Sequence, residues 1–98
     1  PDMGFLPHPP IFAVEVRSEN DYGPKAERAI AAKIADYFAA GTLVVWDVDL
    51  ENEDVVAKYS APHAHHPQIF RRDELADAAP ALENWKLPVD SLFRRPRD

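Results

Sequence analysis

The sequence contains no cysteine, which rules out disulfide cross-links and thiolate metal sites and makes a reducing cytoplasm the simplest setting. No run approaches the ~20 apolar residues needed to span a bilayer. The N-terminus has no basic segment leading into an apolar one, so no secretory leader is expected. Internal repeats are absent. Positive charge is scarce: 11 Lys and Arg stand against 17 Asp and Glu, for a formal net charge of -6. Such a chain repels the phosphate backbone at long range, and its surface as a whole is not expected to bind nucleic acid without specificity. The densest basic groups, Arg71-Arg72 and Arg94-Arg95-Pro96-Arg97, read as a solvated loop and a tail.

What is present suits one folded domain over residues 1–98. Two Trp, five Phe and three Tyr within a 46% hydrophobic composition are enough to offset ordering entropy, which a disordered chain could not do. The chain opens on Pro1-Asp2 with no initiator Met, so an N-terminally truncated or processed form of a longer protein is expected.

Periodicity predicts an α/β (α+β) domain, a mixed sheet with one main helix packed across it. Residues 11–17 form an apolar run rich in strand formers, read as a strand buried on both faces for most of its length. Residues 18–23 supply turn formers, and Pro24 suits a first helical position because its missing N–H needs no partner there. Over residues 25–40, Ala26, Ile30, Ile34 and Phe38 recur every four residues, with Ala29 and Tyr37 widening the stripe, and Gly41 follows as a left-handed cap. Residues 42–48 read as a second buried strand, parallel to the first through a right-handed crossover. A polar turn (49–54), an antiparallel strand (55–59), a Pro/His loop (61–67) and a short strand (69–71) follow. In residues 75–93 the apolar positions are too scattered for one element, and Trp85, Leu87, Val89, Leu92 and Phe93 are expected to pack down on the sheet.

Several polar residues invite a chemical reading. Strand alternation places Ala13, Glu15 and Arg17 on one face. A carboxylate at the end of a buried strand is costly unless a metal, a cation or water compensates it, and pattern alone favours a solvent-facing end. Lys33 lies about 60° from Ile30 around the helix, at the border of the apolar stripe. Its ammonium either rises into water or turns toward the end of the preceding strand, and pattern does not separate the two. In His63-Ala64-His65-His66 the imidazoles two apart could share a face and bind Zn or Ni. With no further ligand nearby, a solvated loop is the simpler account. Asp47 and Asp49 could pair at a strand's carboxyl end, but the polar stretch after them favours turn formers.

The run Phe12-Ala13-Val14-Glu15-Val16-Arg17-Ser18-Glu19-Asn20-Asp21-Tyr22-Gly23, then Ala32-Lys33, Asp36-Tyr37-Phe38-Ala39-Ala40-Gly41-Thr42 and Val44-Val45-Trp46-Asp47-Val48-Asp49, resembles the Uma-type restriction-endonuclease family. That family lies within the P-D-(D/E)-x-K nuclease superfamily. The close, Trp85-Lys86-Leu87-Pro88-Val89-Asp90-Ser91-Leu92-Phe93, is similar to the family's ending. The resemblance implies that Glu15 is the second acidic metal ligand and Lys33 the catalytic lysine, carried on the helix. Two residues after the acid, where other members of the superfamily place the lysine, this chain has Arg17. An arginine cannot act as a base, but it can bind the phosphate of a substrate or steady developing negative charge. The first acid normally lies upstream. Asp2 is the only acid ahead of Glu15 in this chain; a hairpin over residues 7–10 would set it opposite Glu15, and the alternative is an acid lost with the N-terminus.

The activity implied is that of a metal-dependent endodeoxyribonuclease using Mg²⁺ (or Mn²⁺) on DNA, acting in the cytoplasm as a homodimer. The competing reading is a catalytically inactive nuclease fold kept as a binding or assembly module, which the arginine at position 17 and the lack of a basic patch favour. A His-loop metal-binding protein is a third. Loss of an upstream strand would leave the Glu15 strand with an open edge and promote dimerisation or strand exchange.

Overall fold

The computed structural model describes residues 9–61 and 65–93. Four strands form the main sheet in the order β1 (Phe12–Val16), β2 (Val44–Val48), β3 (Val56–Ser60), β4 (Gln68–Phe70). β1 runs parallel to β2, and the β2–β3 and β3–β4 pairs are antiparallel. The 16-residue helix α1 (Pro24–Ala39) makes the β1-to-β2 crossover. Pro24 opens the helix and Gly41 leaves it at φ 109°, a conformation that costs a residue without Cβ little. The Thr42 hydroxyl then donates to the Pro10 carbonyl at 2.7 Å, tying the entry of β2 to that of β1.

β2 is one of the sheet's two interior strands, with all five residues buried. Its two faces carry two cores. On the α1 side Ala13, Ile34 and Val45 are buried together, with Ile30, Tyr37, Phe38 and Tyr59 packed around them. On the other side Val44, Trp46, Val48 and Val56 lie under a second, two-stranded sheet, β5 (Leu75–Ala78) and β6 (Leu82–Pro88), and a 3-10 turn at Val89–Phe93. Trp46 is 1% exposed. Its ring meets Phe12 edge-on at 5.2 Å and Trp85 at 5.6 Å, while its indole N–H donates to the Asp77 carbonyl at 2.9 Å. The Lys58 ammonium reaches the Asp77 carboxylate across the same layer at 2.6 Å.

Two expectations need correction. β1 is not buried on both faces, since Val14 is 43% and Val16 58% exposed. Among the described residues β1 pairs only with β2, and Phe12 is its one residue packed into the core beneath the small sheet. Residues 75–93 do form regular structure, the β5–β6 hairpin. A turn containing Pro80 and a register irregularity at Asp77/Ala78, with Asn84 at φ 63°, interrupt the alternation that would announce it. Leu87, Val89, Leu92 and Phe93 pack against the sheet's core as their apolar character requires.

Candidate active site

The pairing of β1 with β2 sets Glu15 beside Asp47 in register, both on the face that α1 crosses. Lys33 and Tyr37, one helical turn apart, come down over that face from α1. The Lys33 ammonium donates to Glu15 Oε1 at 2.8 Å and the Tyr37 hydroxyl to Glu15 Oε2 at 2.8 Å. Both carboxylate oxygens therefore have a donor, and each keeps a second acceptor position. The Glu15 side chain is 28% and the Lys33 side chain 58% exposed, so the pair is open to water. Its hydrogen bond to Glu15 holds Lys33 above its ordinary pKa, and the lysine is an ammonium at neutral pH. The same carboxylate pushes the Tyr37 phenol up. An open cleft of about 210 Å³ lies between sheet and helix, walled by Ala26, Ala29 and Ile30 with Glu15, Lys33 and Asp47 at its polar side.

Arg17, one pleat beyond Glu15, faces the same way and is almost wholly engaged. Its Nε donates to Asp47 Oδ1 at 3.1 Å and one terminal nitrogen to Asp47 Oδ2 at 2.9 Å. Both terminal nitrogens bond the Glu27 carboxylate of α1, and one also bonds the Asp21 carbonyl at 3.1 Å. That makes five hydrogen bonds for the five donors of a guanidinium. These carboxylates drive the arginine further above its ordinary pKa, and Arg17 in turn holds Glu27 below the usual carboxylate value.

Asp47 is therefore not the turn former that its neighbours suggest. It lies inside β2, 6% exposed, with both oxygens held by Arg17. Asp49 is a turn residue, accepting from the Glu51 N–H at 3.0 Å, and its Oδ1 also accepts from the Tyr22 hydroxyl at 2.6 Å. That bond pushes the Tyr22 phenol up to about 12. His65 and His66 are exposed, whereas His63 and Asp2 lie outside the described residues. Among the described residues no three His, Asp or Glu side chains gather as a metal-binding group.

Almost the whole chain matches a known family. A family model described as "Uma2: Putative restriction endonuclease" covers residues 2–90. The chain belongs to the Uma2 family. The mixed α+β fold is consistent with the P-D-(D/E)-x-K nucleases, the superfamily to which Uma2 proteins are referred. No curated protein matches the chain. Among the described residues no helix is long and apolar enough to cross a membrane. Of the side chains that the sequence pointed to, the structure brings Glu15, Lys33 and Arg17 to the wall of one cleft and leaves His65 and His66 in an exposed loop. Tyr37 and the ligands of Arg17 were missed. Tyr37 carried a signal, its four-residue spacing from Lys33, while Asp47 could be placed only once the β1–β2 register was known.

Proposed function

We propose that this Uma2 protein is a metal-dependent endonuclease that hydrolyses a phosphodiester bond of DNA, with Glu15 holding a divalent ion and Lys33 acting beside it. The observation that carries this reading is the 2.8 Å pair of Glu15 and Lys33 at the mouth of an open cleft. The donor set fits Mg²⁺ (or Mn²⁺) better than a dedicated cage. Such ions accept one or two carboxylates and retain several waters, and among the described residues Glu15 is the site carboxylate with spare acceptor positions on a solvent-open face. Asp2, which opens the family match, is the candidate for a second.

When bound, the ion would act as a Lewis acid on the phosphate and lower the pKa of a nearby water. The chain's own groups do the rest. Tyr37 fixes one oxygen of Glu15 and leaves the carboxylate facing the cleft. Lys33, 58% exposed, has room to exchange its bond to Glu15 for one to a phosphoryl oxygen and to stabilise the charge that develops there. One P–O bond forms to the water oxygen, the P–O bond to the leaving sugar oxygen breaks, and the proton given up by water ends on that oxygen. We place the reaction in the cytoplasm. We also expect a homodimer, for which β1, paired only with β2 among the described residues, offers a strand edge.

Nicking of supercoiled DNA tests this. Mg²⁺-dependent nicking is expected from the full-length protein, falling about 10²- to 10³-fold in Lys33→Met and to background in Glu15→Ala. Equal nicking by Glu15→Ala would refute it. The second reading is a nuclease fold that binds without turnover. The engagement of Asp47 by Arg17 favours it, since a second carboxylate on this face is thereby ion-paired and shut from water.

A further inference from the structure

The five hydrogen bonds of Arg17 converge from three segments: Asp47 of β2, Glu27 of α1, and the Asp21 carbonyl of the loop between β1 and α1. The arginine side chain is 11% exposed and that of Asp47 7%. A guanidinium held this way has no donor left for a phosphate, whereas its planar fork suits two carboxylates at once. We propose that Arg17 is a positioning residue, an internal cation that clamps α1 to the sheet and withholds Asp47 from any divalent ion bound at Glu15. Both effects follow from one geometry. Glu27 and Lys33 lie on the same helix, so fixing Glu27 against the sheet sets the height at which Lys33 meets Glu15. Asp47 stands in register with Glu15 on the neighbouring strand, about 4.8 Å away by strand spacing, near enough to share an ion were its carboxylate not neutralised by Arg17 and shut from water.

The inference rests on the metal reading for one readout only. Mn²⁺ binding followed by paramagnetic resonance is expected to tighten about tenfold in Arg17→Met, the size of effect seen when groups around a metal are changed. It should return to the wild-type value in Arg17→Met/Asp47→Asn, where the released carboxylate is gone. Unchanged Mn²⁺ affinity in Arg17→Met would overturn the proposal, whereas a merely structural arginine predicts no gain. Glu15→Ala, titrated in parallel, separates the two claims: wild-type-like binding there sinks the metal site at Glu15 but does not decide the clamp. For that, and for the case that Arg17→Met does not fold, the Arg17 Nε–H resonance of the wild-type protein decides. A distinct, slowly exchanging signal that is lost in Asp47→Asn supports the clamp. A signal averaged with the solvent-exposed arginines overturns it.

Discussion

Arg17 and Asp47 are two charges taken out of water together, and both oxygens of Asp47 depend on the arginine. Removing the cation by Arg17→Met leaves a carboxylate that is 7% exposed without a partner, which costs about 3–5 kcal/mol. Removing both charges in Arg17→Met/Asp47→Asn is expected to recover most of that loss, as urea denaturation would measure through the midpoint at unchanged slope. If the double variant is as unstable as the single one, the buried pair is not what holds these elements together. Tyr37→Phe is the milder change. It deletes one hydrogen bond to a charged group on a half-buried side chain and should cost roughly 1.5–3 kcal/mol by the same measurement.

Among the elements, the join between the two sheets is expected to respond to pH. Burial would raise the Asp77 carboxyl, but the Lys58 ammonium and the Ala79 N–H outweigh it and hold Asp77 below its ordinary value. A carboxylate lowered in the folded state adds stability that is present above its unfolded pKa, about 3.9, and is lost as pH falls through the lower folded value. Asp77→Asn should therefore be less stable than wild type at neutral pH and approach it in acid, as thermal melts across pH 2–7 would show. A constant difference across that range would contradict this. The main helix and the first two strands were legible because their spacing is regular, at four residues for α1 and in unbroken apolar runs for β1 and β2. Glu15 and Lys33 stood out with them as candidates, but only through resemblance, since periodicity alone left both at a solvent border. β5 and β6 were not legible, because Pro80 and the irregularity near Asn84 break the alternation. Asp47 was misread because local polarity resembles a turn, whereas its place depends on a pairing 32 residues away in sequence, with Glu15.

For the molecule as a whole, a formal charge of -6 opposes approach to DNA, so any affinity must come from the site and not from the general field. The exposed Val14 and Val16 lie on β1, the edge strand among the described residues, and such edges pair with a second chain. Sedimentation equilibrium is expected to show a concentration-dependent dimer, weakened by Val16→Lys. A folded monomer at all concentrations would remove the homodimer from the account. The central claim is that Glu15 holds a divalent ion, and calorimetric titration of Mg²⁺ and Mn²⁺ into the full-length protein and its Glu15→Ala variant tests it most directly. Binding by the wild type that disappears in the variant is the predicted result. Equal binding by both, or none by the wild type, would contradict it.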